Sequence, residues 1–143
     1  MIYLLRHGDA AHGEGDDASR PLTEKGERQA RVAGAALASL GAGIEVCLTS
    51  PKVRARDTAR LACEPLGLEI EETEALRGGP FDSGELAAGR GDVLLVGHDP
   101  DFSEEVTRLT GANVKLKKGG LAVVDGSALV ALLRPGELRR IAG

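Results

Sequence analysis

Aromatic side chains are scarce in this sequence, which has one Tyr, two Phe and no Trp among 143 residues. Proteins that bind single-stranded nucleic acid commonly stack the bases on aromatic rings. An excess of positive charge is also absent, because 22 acidic residues outnumber 18 basic ones and the formal net charge is −4. We therefore expect no nucleic-acid partner, and any anion site must be a local concentration of cations.

Long apolar runs and an export signal are also missing. No run approaches the roughly 18 apolar residues that a membrane span needs. No positively charged segment followed by an apolar stretch precedes the strand-like run that begins at Met1. We expect a cytoplasmic protein with no membrane partner. The two cysteines, Cys47 and Cys63, are too few for a metal cluster and are interpreted as buried apolar residues.

The length and the order of the predicted elements favour one domain over residues 1–143. Apolar periodicity and turn residues predict strands at 2–5, 44–49, 68–71 and 93–96, helices at about 24–40, after Pro51 and from Pro100 to Gly111, and a hairpin of 121–125 and 128–133 around Gly126. Thr23 is a candidate helix N-cap, residues 8–20 a loop, and residues 74–91 loop-like with a helical turn near 84–88. This alternation predicts a three-layer α/β/α domain with a mostly parallel central sheet.

Basic side chains and imidazoles follow three of the predicted strands. The first strand runs into Arg6-His7-Gly8, the second into residues 50–55 with Arg54, and the fourth into Gly97-His98-Asp99. Ligands gather at the carboxyl ends of the strands in such sheets, so two arginines and two histidines should meet there. Arginine matches phosphate oxygens with its planar donors, and a neutral imidazole can attack phosphorus.

These residues resemble the histidine phosphatase superfamily, whose mark is Arg-His-Gly at the end of the first strand. The resemblance covers nearly the whole chain and includes Pro21 to Gly26, Ser50-Pro51 with Arg54-Ala55 and Thr58-Ala59, and Val96-Gly97-His98. Within the superfamily, the short length and the segments 6–10, 50–55 and 97–101 look most like SixA-type phosphohistidine phosphatases. The resemblance implies a phosphoglycerate-mutase-like fold.

By this resemblance, His7 accepts the phosphoryl group, Arg6 and Arg54 clamp it, and His98 is a further donor to its oxygens. The implied enzyme is a phosphoric monoester or phosphoramidate hydrolase that acts on phosphohistidine of a signalling or phosphotransfer protein. No metal or organic cofactor is implied, and we expect a monomer. Two alternatives stay open: a phosphatase of a small phosphoester or phosphoanhydride, and a phosphate-binding interaction module without turnover.

The resemblance leaves the proton donor open. Many superfamily members carry Glu or Asp in the loop after the third strand, where Glu74 and Asp82 are the candidates. Another branch has Asp directly after its second histidine, where this chain has Asp99, although Asp99 is equally suited to capping the next helix. SixA-type proteins are similar in lacking an obvious loop acid. Phosphohistidine tolerates that lack, because imidazole protonated on its far nitrogen departs as a neutral molecule.

Other polar residues have simpler interpretations. We expect His12 to be exposed in an acidic loop and Thr23 to act as a cap rather than a ligand. The segment Lys117-Lys118-Gly119-Gly120 is interpreted as a solvated charged turn, although it could approach a phosphorylated protein.

Overall fold

The fold is given by a computed structural model that describes residues 1–13 and 15–143. These residues form six strands, five α-helices and two short 3₁₀ turns. In chain order they are β1 (Ile2–Arg6), the turn Asp17–Ser19, α1 (Glu24–Ser39), β2 (Ile44–Thr49), α2 (Val53–Cys63), β3 (Ile70–Glu72), the turn Glu74–Leu76, α3 (Ser83–Ala87), β4 (Asp92–Gly97), α4 (Asp101–Thr110), β5 (Leu121–Asp125), β6 (Ala128–Leu133) and α5 (Pro135–Ala142). Residue 14 of the predicted loop 8–20 lies outside the described residues.

The six strands form one sheet in the order β3-β2-β4-β1-β5-β6. The pairs β3-β2, β2-β4 and β4-β1 are parallel, and β5 and β6 add an antiparallel hairpin at one side. The predicted α/β class and its mostly parallel sheet are therefore confirmed. Because β1, β2 and β4 are neighbours and parallel, their carboxyl ends lie at the same edge.

Helices cover both faces of the sheet. On one face, α1, α2 and α5 pack on Leu5, Cys47 and Leu94, and on the other face α4 packs on Leu4 and Leu95. Neighbouring residues of β1 and β4 thus belong to opposite cores, as the alternation of side chains along a strand requires. Both central strands are buried on two sides, which explains their continuous apolar sequences.

The helix limits follow from local signals. Thr23 caps α1 by accepting a hydrogen bond from the Gly26 amide (3.1 Å), as predicted. Gly111 ends α4 in the left-handed conformation (φ 77°), which a glycine adopts without steric penalty. Cys47 and Cys63 are free and buried, as expected.

Two elements differ from the sequence-based expectation. The third strand begins at Ile70 rather than Leu68, because the Leu68 amide instead donates to the Cys63 carbonyl in the turn after α2. The helix α5 was not predicted, although Pro135 in its first turn and Glu137, whose carboxylate accepts from the Arg134 amide (2.8 Å), are typical start signals. Leu138 of α5 is fully buried in the core. The assignment of residues 1–143 to one domain stays a prediction.

Among the described residues, none of the helices combines the length and the apolar character that crossing a membrane requires.

Two motif glycines pack against each other and join β1 to α1. A Cβ atom on Gly8 would lie 2.6 Å from the Gly26 carbonyl oxygen, and a Cβ atom on Gly26 would collide with the backbone carbonyl of Asp9. Real Cβ atoms essentially never approach backbone so closely. The glycines of the segments 6–8 and 21–26 therefore allow the loop after β1 to lie directly on the first turn of α1.

We predict that Gly26→Ala lowers the free energy of unfolding by about 1–3 kcal/mol, because the added methyl group forces the backbone at Asp9 away from α1. Urea denaturation measures this change. The matched control is Gly136→Ala in α5, where a Cβ atom meets nothing within 4 Å. That control should keep or raise stability, since Ala is the better helix former. Equal stability of Gly26→Ala and the unmodified protein would contradict the packing argument.

Candidate active site

The parallel pairing of β1 with β4 brings the two histidines together. Arg6 lies opposite Gly97 in the ladder, and the His7 amide donates to the Gly97 carbonyl at 3.0 Å, one residue beyond the strand. The imidazole rings of His7 and His98 consequently have centroids 5.3 Å apart. The sequence-based expectation that both rings reach one edge of the sheet agrees with this distance.

His7 is held in one tautomer by its own backbone. Its Nδ1 atom lies 2.7 Å from the Gly8 carbonyl oxygen. A carbonyl oxygen can only accept, so Nδ1 carries the hydrogen and, in the neutral ring, Nε2 keeps its lone pair. The residue is only 7% exposed, which protects the ring from solvent. His7 therefore presents a fixed, unprotonated nitrogen.

Thr58 connects the segment after β1 to α2. Its hydroxyl accepts from the Gly8 amide (3.0 Å) and donates to the Arg54 carbonyl (2.7 Å). Thr58 is fully buried, so both hydrogen bonds form away from water. This bridge fixes the position of His7 relative to the start of α2, where Arg54 lies.

The Arg6 guanidinium is anchored at one nitrogen. Its Nη1 donates to the Leu116 carbonyl (2.8 Å), whereas its Nε atom is shielded from solvent and has no hydrogen-bond partner within residues 1–13 and 15–143. The loop before β5 also encloses the backbone, because Gly119 donates to the His7 carbonyl (3.0 Å). Arg6 is thus directed by its neighbours, and the guanidinium donors that the Leu116 carbonyl does not use remain to bond an anion.

Arg54 is only 7% exposed, and its guanidinium is held by Asp17. Its Nη1 donates to the Asp17 backbone carbonyl (2.9 Å) and its Nη2 to the Asp17 carboxylate (3.2 Å). Hydrogen bonds from Arg20 and then from Arg54 lower the pKa of Asp17 to about 2, so this carboxylate is ionised at neutral pH. Arginine has five N–H donors, and those not used by Asp17 remain for a further oxyanion.

His98 forms a hydrogen bond through its Nε2 atom. Its Nε2 atom lies 2.8 Å from the Ser50 hydroxyl oxygen, and its buried Nδ1 atom has no partner in the described part of the chain. Gly97 precedes it because a Cβ atom there would lie 2.6 Å from the ring of Phe102. The residues 50 and 98 follow neighbouring strands, so the ends of β2 and β4 meet here.

Comparison with known proteins adds to this geometry. The sequence profile of the histidine phosphatase superfamily (branch 1) matches residues 2–99. The chain belongs to the histidine phosphatase superfamily. The matched segment includes His7, Arg54 and His98. The fold described above is the phosphoglycerate-mutase-like fold of this superfamily.

Individual relatives resemble this histidine phosphatase over nearly its whole length. A structure of the protein histidine phosphatase SixA complexed with tungstate has a TM-score of 0.82 and 27% identity, covering 96% of this chain and 98% of that one. A structure from Agrobacterium tumefaciens, provisionally assigned as phosphohistidine phosphatase SixA, has a TM-score of 0.83 and 26% identity over 94% and 97% of the two chains. An uncharacterized protein of Picosynechococcus is 38% identical over 96% of this chain and 92% of its own length. The SixA-type resemblance is confirmed.

The surroundings of both imidazoles oppose protonation. Burial lowers the pKa of His7 to about 4. The hydrogen bond to the Gly8 carbonyl acts to raise this pKa, whereas the positive charges of Arg54, Arg6 and Lys118 lower it further. Burial also lowers the pKa of His98 to about 3, together with His7 and the nearby cations. Both rings are therefore neutral at pH 7 in this histidine phosphatase, and the positive charge of the site resides on its Arg and Lys side chains.

The three candidate proton donors have other partners. Glu74 is exposed and pairs with Arg77 at 3.8 Å, and Asp82 caps α3 by accepting from the Glu85 amide at 3.1 Å. Asp99 accepts from the Ser103 amide (3.0 Å) and the Ser103 hydroxyl (2.8 Å), which is the capping contact considered above. The carboxylate of Asp17, which was not among the three candidates, acts to raise the pKa of His98. A role as general acid stays a prediction for all three candidates.

Sequence reasoning missed two cations that border the site. Lys118 belongs to the segment interpreted as a solvated turn, yet it pairs with Asp9 (3.4 Å) and lowers the pKa of His7. Lys52 pairs with Asp17 at 3.5 Å and lowers the pKa of His98. Lys52 could have been recognised from the sequence as a candidate site residue, because it lies in the segment 50–55 directly after a predicted strand. His12 is exposed, as expected.

No group of three or more His, Cys, Asp and Glu side chains that could hold a metal ion occurs among residues 1–13 and 15–143.

We predict that the neutral rings of His7 and His98 take up a second proton, and become positively charged, only in acid. Because burial lowers the two pKa values to about 4 and about 3, the neutral rings should persist as the pH falls from 7 to about 5. Titration of ¹⁵N-labelled imidazoles by NMR measures this directly. Protonation of His7 near the value of about 6.5 for an unperturbed histidine would contradict the conclusion that this ring is buried and neutral.

Proposed function

We propose that the protein is a phosphatase that transfers a phosphoryl group to Nε2 of His7 and then to water, with phosphohistidine of a protein as its substrate. In the first step the Nε2 lone pair bonds to phosphorus while the substrate P–N bond breaks, and its electron pair stays on the departing imidazole. In the second step a water oxygen bonds to phosphorus, the P–Nε2 bond breaks and its electron pair returns to Nε2, while one proton of the water stays on the released phosphate and the other passes to solvent.

The observation that carries this proposal is the hydrogen bond between His7 Nδ1 and the Gly8 carbonyl. It leaves Nε2 as the unprotonated nitrogen in a ring whose pKa is lowered to about 4 by burial. After transfer, the phosphorylated ring keeps its Nδ1–H and is positively charged, and the Gly8 carbonyl stabilises that charge. The charged ring is a good leaving group for the second step.

The donors around His7 suit a phosphoryl group. Within the part of the chain that the structure describes, Arg6 has a buried Nε without a partner, Arg54 has donors beyond those used by Asp17, and His98 has an unpartnered Nδ1. Lys118 adds a fourth group of positive or donor character near the same ring. Such preorganised donors stabilise the charge that spreads over the phosphoryl oxygens during transfer.

The substrate class follows from the partners of the candidate acids. Each of the three candidates, Glu74, Asp82 and Asp99, bonds to a local group, which argues against any of them giving a proton to the leaving group. An alkoxide needs such help, whereas an imidazole whose far nitrogen carries a proton departs neutral. Phosphohistidine is therefore the favoured substrate, consistent with the activity named for the SixA relative. A cytoplasmic location and a monomeric state belong to the proposal.

We predict that His7→Ala abolishes turnover of a phosphohistidine peptide, because the substitution removes the unprotonated Nε2 that takes the phosphoryl group in the proposed mechanism. Rapid quenching of the unmodified protein should trap acid-labile, base-stable phosphate on His7. The matched control is His12→Ala, which removes an exposed histidine and should leave the rate unchanged. Full activity of His7→Ala would refute the mechanism, and phosphate binding without trapping or turnover would favour a binding module.

We predict a marked preference for phosphohistidine over alkyl phosphates. Because a general acid contributes roughly 10²–10⁴-fold to the departure of a poor leaving group, kcat/KM for a phosphohistidine peptide should exceed that for phosphoserine or glycerol phosphate by at least about 100-fold. Nucleotides test the phosphoanhydride alternative in the same assay. Comparable kcat/KM for an alkyl phosphate would refute the phosphohistidine assignment while preserving the His7 chemistry.

A further inference from the structure

One ring nitrogen of His98 contacts a buried hydroxyl, and the other is buried without a partner among the described residues. The residue is 7% exposed, its Nε2 lies 2.8 Å from Ser50 Oγ, and its Nδ1 is enclosed without a partner among the described residues. A neutral imidazole carries its hydrogen on one nitrogen only, so His98 offers either a donor or an acceptor at Nδ1. The two possibilities have opposite consequences for a phosphoryl oxygen nearby.

The hydrogen-bond capacity of Ser50 distinguishes them. Ser50 is fully buried, and its Oγ already accepts from the Lys52 amide (3.2 Å) at the start of α2. A hydroxyl has one hydrogen to donate, and a buried donor requires an acceptor. Among residues 1–13 and 15–143, the acceptor recorded for this hydroxyl is Nε2 of His98. If Ser50 donates to Nε2, the hydrogen of the ring must be on Nδ1.

The opposite arrangement leaves two groups unsatisfied. With the hydrogen on Nε2, Ser50 Oγ would accept from both His98 and the Lys52 amide, and its own hydrogen would have no acceptor. The Nδ1 lone pair of His98 would then repel any phosphoryl oxygen that came close to it, because both atoms are acceptors. Leaving a buried polar group without its partner is costly, whereas the Nδ1–H form becomes fully bonded when an oxyanion is present.

We propose that Ser50 is a positioning residue that holds His98 as the Nδ1–H tautomer, so that this buried N–H donates to an oxygen of the transferred phosphoryl group. The inference rests on the proposed function, because it deepens the role of His98 in that site. The donor needs no positive charge on the ring, which agrees with the lowering of the pKa of His98 by burial. The arrangement parallels enzymes in which a partner behind a catalytic histidine selects its tautomer.

The tautomer can be measured without turnover. In ¹⁵N-labelled protein, long-range ¹H–¹⁵N correlation spectra identify which ring nitrogen carries the hydrogen. We expect His98 to be protonated at Nδ1 in the unmodified protein, and its Nδ1–H signal to shift downfield when inorganic phosphate binds. A hydrogen on Nε2, or an Nδ1–H signal unaffected by saturating phosphate, would overturn the proposal even if the enzyme proves active.

Removing the hydroxyl should change both the spectrum and the rate. In Ser50→Ala the Nε2–H tautomer should appear, and kcat for the phosphohistidine peptide should fall about 10- to 100-fold, less than the 10²–10³-fold cost of deleting an oxyanion donor outright. KM should change little, because the donor acts mainly in the transition state. An unchanged tautomer and kcat in Ser50→Ala would overturn the assignment.

Two further variants separate positioning from a general loss of structure. Thr49→Val removes the neighbouring buried hydroxyl, which donates to the Ser50 carbonyl (3.1 Å) and does not bond to His98. It should keep the Nδ1–H tautomer and kcat. Ser50→Thr keeps a hydroxyl and should restore the tautomer and most of the rate if its thermal unfolding matches that of Ser50→Ala. If Thr49→Val lowers kcat as much as Ser50→Ala, the effect is structural and the proposal fails.

Discussion

The hydrogen bond from the His7 amide to the Gly97 carbonyl, at 3.0 Å, extends the parallel ladder of β1 and β4 one residue past the end of β1, opposite the last residue of β4. It places the residues that follow the two strands side by side, and the ring centroids of His7 and His98 are 5.3 Å apart as a result. A matching bond joins the Ser50 amide to the Val96 carbonyl (3.0 Å) and brings the end of β2 to the same edge. The site is therefore assembled by sheet register, with loops adding side chains to a fixed frame.

The charges of the site are arranged around two rings that stay uncharged. Burial lowers the pKa of His7 to about 4 and that of His98 to about 3, whereas the positive charge is on Arg6, Arg54 and Lys118. In the proposed mechanism, this division keeps a nucleophilic nitrogen available at neutral pH while cations attract the anion that it attacks. The His7 ring is oriented by the hydrogen bond that its Nδ1 donates to the Gly8 carbonyl, and the His98 ring by the hydrogen bond between its Nε2 and the Ser50 hydroxyl. Orientation and charge are thus supplied by different groups.

Most of the fold could be predicted because its signals are local. Continuous apolar runs marked β1, β2 and β4, and the alternation of strands with helices indicated a parallel sheet whose carboxyl ends carry the functional residues. The short helix α5 was missed because its core contribution is largely one residue, Leu138. Asp17 and Lys118 were missed for a different reason: they reach the site only when distant loops close against β1 and α2, and no sequence pattern encodes that approach. The partners of Asp99, in contrast, agree with one of the two roles considered from sequence.

The central claim is that one phosphoryl group can rest among His7, His98, Arg6 and Arg54, with the bare nitrogen of His7 facing phosphorus. A crystal structure of this protein with bound tungstate, an oxyanion that a SixA relative also binds, tests it most directly. The account predicts that Nε2 of His7 points at the tungsten atom and that Arg6, Arg54 and Nδ1 of His98 donate to its oxygens. Tungstate bound elsewhere, or Nε2 of His7 occupied by a protein hydrogen-bond donor, would contradict it.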